Sequence, residues 1–227
     1  MKIRRVAIIP ARGDSKRIKK KNIRKFYKSS LLEISINFAK NLDFFKDIVV
    51  SSDNTNILKI ASKFKSIKIH KRNKKLSSDH AKINDLIKFL LKNNYSQYDF
   101  AYLLEPTSVI RKKTELIKQM RHFEKINADS FGTCDLSHIH PQKLFSIKND
   151  GKIYGLNKNG LVKRSQDLGK LFQFNGLIYG INIQTYLKKK PNHNIFGKAY
   201  AFISSDKAID INTMSDFKNA EILFKYT

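Results

Sequence analysis

The sequence predicts an α/β protein in which helices cover both faces of a mixed, mostly parallel sheet, giving three layers. Short apolar runs alternate with amphipathic segments, and the connections between them are short. In addition, the first apolar run, residues 6–9, leads directly into a polar loop that contains a glycine. Proteins of this class bind ligands at the carboxyl ends of the strands, so we expect the functional site at that edge of the sheet.

The individual elements follow from the spacing of the apolar residues. Predicted strands cover residues 3–10, 47–52, 66–70, 99–105, 129–134, 174–181 and 199–204. Predicted helices cover residues 30–42, 54–65, 80–93, 112–127 and 214–224. Asp53 or Asn54 is expected to cap the second helix and Asp79 the third, because short polar side chains accept hydrogen bonds from the free amides at a helix start.

The pattern changes between residues 135 and 172. Two short β-like runs, at 143–147 and 153–156, flank the turn signal Asn149-Asp150-Gly151. This arrangement predicts a β-hairpin. The chain has 227 residues and contains neither repeats nor a low-complexity linker, so we expect one domain over 1–227 with this segment within it.

The composition excludes several classes of protein. The formal net charge is +26, but only nine of the 45 basic residues are arginines, and the 36 lysines are scattered along the chain. Nucleic-acid-binding proteins cluster arginine on one element, so no nucleic-acid partner is expected. No apolar stretch is long enough for a membrane helix, no signal-peptide pattern is present, and Cys134 is the single cysteine. These features predict a cytoplasmic protein without a membrane partner.

The loop after the first strand is rich in cations. Arg12, Lys16, Arg17 and Lys21 supply positive charge, and Gly13 allows backbone amides to approach a ligand closely. The spacing fits neither the P-loop nor the dinucleotide-binding fingerprint. A phosphate-binding loop is one interpretation of this composition, and a solvated basic loop is the other.

The loop sequence A-R-G-D-S-K-R-I-K-K-K-N, residues 11–22, resembles the opening signature of the acylneuraminate cytidylyltransferases (CMP-sialic acid synthetases), A-R-G-G-S-K-R-I-P-x-K-N. Four more family patterns follow in order. These are V-V-S-S-D at 49–53, R-N-K-K-L-S-S-D at 72–79, L-L-E-P-T-S-V-I-R at 103–111, and N-G-L-I-Y at 175–179 followed by I-D-I-N-T at 209–213. Five patterns in the right order are specific, and the chain is identified as a divergent member of this family.

The resemblance implies the Rossmann-like fold of the nucleotide-diphospho-sugar transferases, with residues 135–172 as a small β-rich arm that makes a homodimer. It also implies an enzyme that moves CMP from CTP to an acid sugar, a sialic-acid-like nonulosonate, with release of pyrophosphate. Such products serve cell-surface polysaccharide synthesis. The implied cofactor is Mg²⁺, which stabilises charge on the phosphates during the transfer.

Site residues are also implied by the resemblance. The catalytic residues are Arg12, Lys21 and Asp210. The nucleotide-binding residues are Ala11, Arg12, Gly13, Ser15, Lys16, Lys21, Asn22, Arg72, Ser77 and Ser78. The residues that bind the acid sugar are Glu105, Thr107, Ser108, Arg164, Gln173 and Asn175. The metal ligands are Asp210 and Asn212, although Asp210 could instead be the N-cap of the last helix, a role for which Asn212 and Asp216 compete.

Several positions depart from the family pattern. Asp14 replaces a small residue, Asn212 replaces an acid, Glu105 replaces a glutamine and Gln173 replaces an arginine. Arg164, Lys163 or Lys170 could supply the missing cations. These changes leave two alternatives to the transfer of CMP to sialic acid: the same reaction on a different sugar, or a catalytically impaired nucleotide-binding relative that acts as an interaction subunit.

Overall fold

The computed structural model describes residues 3–78, 80–157, 164–205 and 208–226. In this part of the chain the strands are β1 (Arg5–Pro10), β2 (Lys25–Phe26), β3 (Ser29–Ser30), β4 (Asp47–Ser52), β5 (Ile67–Lys71), β6 (Phe100–Leu103), β7 (Ser130–Leu136), β8 (Phe145–Ile147), β9 (Ile153–Gly155), β10 (Phe172–Asn182) and β11 (Ala199–Ile203). The helices are α1 (Leu31–Asn41), α2 (Thr55–Ala61), α3 (Lys74–Ser77), α4 (Ile83–Asn93), α5 (Lys113–Lys125), α6 (Ile183–Lys189) and α7 (Met214–Phe224).

Within these residues, seven strands form one sheet in the order β11-β7-β10-β6-β1-β4-β5. Strand β1 pairs in parallel with β4 and β6, β4 with β5, and β7 with β11. Strand β10 is antiparallel to both of its neighbours, β6 and β7. The sheet is therefore mixed and mostly parallel, which confirms the predicted fold class.

Alternate side chains of β1 enter different cores, as expected for a strand buried on both faces. Ala7 and Ile9 pack with residues of α1, α2 and α5 on one face. Val6 and Ile8 pack with residues of α4 and α6 on the other face. A third apolar cluster joins Ile18, in the loop after β1, to α1 and α7. The three predicted layers are present. The third cluster anchors the cation-rich loop to α7.

The predicted bounds agree with the structure to within two residues except at two helices. Helix α2 ends at Ala61 rather than residue 65, since the chain then turns and Ser66 adopts a positive φ of 68°. Helix α4 begins at Ile83, where the Asp85 carboxylate accepts a hydrogen bond from the Lys82 amide. The predicted cap Asp79 lies outside the described residues. Of the two residues expected to cap α2, Asn54 does so.

The structure also contains elements that the sequence pattern did not predict. These are the short helices α3 and α6 and the two-residue strands β2 and β3. Each is too short to show a clear helical or alternating period. No helix in the described part of the chain combines the length and the apolar character that crossing a membrane would need.

The packing at Gly180 yields a prediction about stability. A Cβ atom at this position of β10 would lie 2.2 Å from Cε1 of Phe131, whose ring is fully buried. Because the ring would have to move within a packed core, we expect Gly180→Ala to lower the free energy of unfolding by about 1–3 kcal/mol. Urea denaturation would measure the change. Gly169→Ala, where a Cβ would meet nothing within 4 Å, is the control and should differ little from the wild type.

Candidate functional site

A cavity of about 310 Å³ opens at the carboxyl ends of β1 and β6. Its lining combines the loop after β1, the segment that leads into α4 and the residues that follow β6. The lining residues are Pro10, Arg12, Asp14, Ser15, Lys21, Asn22, Arg72, Leu76, Ala81, Lys82, Ile83, Glu105, Pro106 and Thr107. Seven residues predicted to bind the nucleotide or the sugar therefore meet at one place: Arg12, Ser15, Lys21, Asn22, Arg72, Glu105 and Thr107.

The end of β4 holds the cation-rich loop in place. The Ala11 amide donates to the Ser51 carbonyl oxygen over 2.9 Å, and the Gly13 amide donates to Asp53 Oδ1 over 2.9 Å. The Ala11 amide is therefore used within the protein rather than for a nucleotide. A Cβ at Gly13 would lie 2.5 Å from Cβ of Asn54. The glycine is thus required by the close approach of α2, a reason that differs from the predicted approach to phosphate.

Two arginines line the cavity. Arg12 Nη2 donates to the carbonyl oxygens of Ser77 and Ser78 over 3.3 and 3.4 Å. The hydroxyl groups of these two serines donate to backbone oxygens of their own turn, so they contribute to the site through their carbonyls. Arg72 is 7% exposed, and burial lowers its pKa to about 10. The Arg72 guanidinium is therefore cationic at neutral pH.

Lys21 joins the loop to the segment before α7. Its Nζ donates to the Ile211 carbonyl oxygen over 2.7 Å. Burial lowers the pKa of Lys21, and the nearby carboxylate of Asp210 opposes that shift. The Asn22 side chain completes the loop by donating to the Arg12 carbonyl oxygen over 2.8 Å. Positive charge is therefore held on a part of the loop that is fixed at both ends.

The segment over residues 209–213 resolves the alternatives for Asp210. The N-cap of α7 is Thr213, whose hydroxyl accepts from the Asp216 amide, so Asp210 is not the cap. The Asn212 Nδ2 atom donates to Asp210 Oδ2 over 2.6 Å. The Asn212 Oδ1 atom, which would have to bind a metal, instead accepts from Arg17 over 2.7 Å. Asp210 lies outside the cavity lining, but its charge acts on Lys21 and Glu105 within it, so it remains a candidate carboxylate ligand. The predicted metal contact of Asn212 does not fit.

Glu105 lies in the wall of the cavity beside these charges. Burial, followed by the carboxylate of Asp210, raises the pKa of Glu105 to about 7, while Arg111 and Lys21 act in the opposite direction. Arg111 is half-buried and donates to the Glu105 carbonyl oxygen over 2.6 Å and to that of Leu177 over 3.0 Å. A protonated Glu105 can face an acid sugar without the repulsion that a carboxylate would cause.

Comparison with known proteins decides the class of this site. A family model described as Cytidylyltransferase matches residues 6–222. The chain belongs to the cytidylyltransferase family. It is 31% identical to the pseudaminic acid cytidylyltransferase of Campylobacter jejuni (serotype O:23/36, strain 81-176), over 98% of this chain and 97% of that one. It is 29% identical to the N-acylneuraminate cytidylyltransferase of Streptococcus agalactiae (serotype V), over 93% of this chain and 51% of the relative.

A solved structure agrees on the fold. CMP:2-keto-3-deoxy-manno-octonic acid synthetase, in complex with CTP, superposes with a TM-score of 0.70 over 98% of this chain and 99% of the other, at 13% identity. The Rossmann-like nucleotidyltransferase fold and the family implied by the sequence motifs are therefore confirmed. The chain is an enzyme of the cytidylyltransferase class.

Four predicted sugar-binding residues of the cytidylyltransferase lie outside the cavity lining. Ser108 is fully buried, and Arg164 is exposed and pairs with Asp167 over 2.7 Å. Gln173 is exposed near the start of β10, and its Oε1 accepts a hydrogen bond from Ser137 Oγ over 3.4 Å. Lys163, the other basic residue considered beside Arg164, lies outside the described residues.

Asn175 is the fourth of these residues, and its side chain is fully used inside the fold. Its Oδ1 accepts from the Thr133 hydroxyl over 2.6 Å. Its Nδ2 donates to Asp135 Oδ1 over 2.7 Å and to Ser204 Oγ over 2.8 Å. The side-chain amide therefore links β7, β10 and the residue after β11. Its role in the structure is to hold these strands together, in place of the predicted contact with the sugar.

Three residues near the site of the cytidylyltransferase received no role in the site from the sequence. Ser51 and Asp53 anchor the loop, and Arg111 supports Glu105. All three lie within the quoted motifs, so the sequence already pointed to these positions. Their roles depend on which neighbour each side chain meets, and the motifs do not contain that information.

The buried position of Glu105 gives a prediction about the metal-free, nucleotide-free protein. The folded state raises the pKa of Glu105 from 4.5 to about 7. Stability associated with this group is thus fully present below pH 4.5 and is lost as the pH rises towards 7. At pH 8 we expect Glu105→Gln to unfold at a higher urea concentration than the wild type, with a free energy of unfolding larger by on the order of 3 kcal/mol. At pH 5 the two free energies of unfolding should differ much less. An equal shift at both pH values would contradict the assignment.

Proposed function

We propose that this cytidylyltransferase transfers CMP from CTP to a sialic-acid-like nonulosonate and releases pyrophosphate. The observation that carries the proposal is the convergence of Arg12, Lys21 and Arg72 on one cavity at the carboxyl ends of the central strands. Attack by a sugar hydroxyl on the α-phosphate places additional negative charge on the phosphoryl oxygens and on the departing pyrophosphate. Fixed cations held within a partly buried site stabilise that charge without having to reorganise.

The metal cofactor is part of the same proposal. Among the described residues, no group of three or more histidine, cysteine or acidic side chains is arranged to hold a metal. Mg²⁺ commonly takes one or two carboxylates and completes its shell with substrate phosphates and water. The donor set here fits that mode, with Asp210 as the protein ligand. The ion would supply charge neutralisation at the triphosphate.

We propose a nine-carbon acid sugar other than N-acetylneuraminate as the acceptor, with pseudaminic acid as the first choice. Two of the relatives are named for pseudaminic acid and align along nearly their whole length. The substitution at Glu105 supports this, because it changes a hydrogen-bonding group in the cavity wall that the resemblance assigns to the sugar. We propose that the product is used for cell-surface polysaccharide synthesis.

Product formation tests the proposal. The purified protein would be incubated with Mg²⁺, each of the four nucleoside triphosphates and a panel of nonulosonic acids that includes pseudaminic acid and N-acetylneuraminate. Mass spectrometry would identify the sugar nucleotide. A CMP-sugar formed from CTP alone is the expected result, and a wide preference for N-acetylneuraminate would overturn the choice of acceptor. Binding of CTP without any product would favour the interaction subunit instead.

We also propose that two copies associate through residues 135–172. Six large apolar side chains of the hairpin and its flanks are 41–67% exposed: Leu144, Phe145, Ile147, Ile153, Tyr154 and Leu156. Apolar patches of this kind mark interaction surfaces on soluble domains. Two equivalent surfaces on identical chains can cover each other in a symmetric dimer.

Sedimentation measurements would test the association. We expect the wild type to be a dimer and Ile147→Glu to be a monomer, because the substitution places a charge where apolar surface must be buried. Ile147 is 67% exposed in the isolated chain, so its replacement should not disturb folding. Tyr226→Glu changes a side chain that is 85% exposed and distant in sequence, and this control should remain dimeric. A monomeric wild type would refute the proposal.

A further inference from the structure

A chain of hydrogen bonds runs from the edge strand β5 to the cavity. The His70 Nδ1 atom lies 2.9 Å from Ser51 Oγ, and Arg72 Nε donates to the same oxygen over 3.0 Å. Ser51 has no exposed surface and Arg72 is only 7% exposed, so the bond between them is shielded from solvent. The β4–β5 register pairs Ser51 with His70, which brings the two side chains together.

The positions of the protons follow from the chemistry of the three groups. The guanidinium can only donate, so Ser51 Oγ accepts from Arg72. The one hydroxyl proton of Ser51 then needs an acceptor, because a buried donor without a partner costs about 1–3 kcal/mol. His70 Nδ1 is within reach and accepts only when it carries no proton. The network therefore selects the neutral imidazole with its proton on Nε2.

Ser51 connects this network to two parts of the cavity lining, Arg72 and the loop after β1. Its carbonyl oxygen accepts from Arg72 Nη2 over 3.0 Å and from the Ala11 amide over 2.9 Å. The guanidinium of Arg72 is thus held at two points on one residue, and the same residue anchors the start of the cation-rich loop. A change in the Ser51 side chain would reach Arg72 directly.

We propose that neutral His70 is a positioning residue, which orients the Ser51 hydroxyl and through it holds Arg72 in place for the nucleotide. The role in nucleotide binding rests on the proposed function, whereas the hydrogen-bond chain does not. Protonation of His70 would turn its Nδ1 atom into a donor. The Ser51 proton would then lose its acceptor, and a second cation would lie beside Arg72.

The surroundings of His70 favour the neutral form. Burial, followed by the charge of Arg72, lowers the pKa of His70 from its usual 6.5. The residues that contact it from the neighbouring elements, Ser51 of β4 and Phe89 of α4, carry no charge, and the Phe89 ring lies 5.4 Å from the imidazole between centroids. The positioning effect is therefore present above about pH 6.5 and is lost as the pH falls through the lowered pKa.

Two substitutions distinguish the contribution of the acceptor atom of His70 from that of its ring. His70→Asn keeps an acceptor atom near the position of Nδ1 and cannot gain a proton, whereas His70→Phe keeps a ring without an acceptor. We expect His70→Phe to weaken CTP binding about threefold to tenfold at pH 8, as the loss of one hydrogen bond would, with kcat changed less than twofold. His70→Asn should bind CTP like the wild type at pH 8 and should lack the loss of affinity below pH 6.5. The control His193→Asn removes an exposed histidine and should preserve the wild-type pH profile.

A measurement without nucleotide separates this inference from the proposed function. The Nε–H signal of Arg72, identified by its absence in Arg72→Lys, would be followed by NMR in the ligand-free protein. We expect it to shift in His70→Phe and, on acidification, in the wild type, but not on acidification of His70→Asn. An unchanged signal in folded His70→Phe would overturn the inference. Failure of the wild type to bind CTP would overturn the proposed function, and the NMR result would still decide the hydrogen-bond chain.

Discussion

Replacing Lys21 with methionine is expected to lower kcat about 100-fold to 1,000-fold, the usual effect of removing one fixed group that stabilises charge in a transition state. Methionine is similar in length and apolar, so it fills the partly buried position of the lysine without its charge. The variant also loses the hydrogen bond from Nζ to the Ile211 carbonyl oxygen. Steady-state assays with CTP and the proposed acceptor would measure the loss.

The control for this experiment is Lys19→Met, in the same loop. Lys19 is exposed and does not line the cavity, so its replacement removes one charge from the loop without removing a group from the site. We expect its kcat to stay within about twofold of the wild type, as for a surface change away from the chemistry. A similar loss in both variants would show that the total charge of the loop, rather than the position of Lys21, determines the rate.

Asp210→Asn is expected to lower kcat/KM about 100-fold or more at low Mg²⁺ and to be partly rescued by high Mg²⁺, because the variant loses the carboxylate that we propose as the ligand of the ion. The fold should be unaffected, since Thr213 rather than Asp210 caps α7. Titration with Mg²⁺ would give the activity, and binding of Mn²⁺ followed by electron paramagnetic resonance would give the affinity directly.

Asn212→Asp provides the complementary variant. The substitution adds a carboxylate next to Asp210 at the position where Asn212 now accepts from Arg17. We expect tighter Mn²⁺ binding than in the wild type, while Asp150→Asn in the distant hairpin should change nothing. Wild-type metal affinity and activity in Asp210→Asn would exclude Asp210 as the ligand.

The sequence alone was sufficient to predict the sheet, because buried parallel strands and the helices that cover them have distinct apolar periods. The bounds of α7 and β4 agree with the prediction to the residue. Short elements such as α6 escaped detection, since seven residues complete only two turns. Family patterns located the cavity, and five of its nucleotide-side residues line it: Arg12, Ser15, Lys21, Asn22 and Arg72.

Roles that depend on long-range partners could not be predicted. Asn175 occupies a motif position, yet its partners Thr133, Asp135 and Ser204 lie 29–42 residues away in sequence. His70 belongs to none of the quoted patterns, and its contact with Ser51 exists only because β4 and β5 pair in one particular register. A shift of that register by one residue would turn the histidine to the other face of the sheet.

The two edges of the large sheet differ in their tendency to recruit further strands. Strand β5 carries Lys68 and Lys71, and charged side chains of this kind discourage edge-to-edge aggregation. Strand β11, at the opposite edge, has the sequence A-Y-A-F-I and no charge. Solubility at the second edge therefore depends on the long-range repulsion among chains of net charge +26, and high salt, which screens that repulsion, should promote aggregation there first.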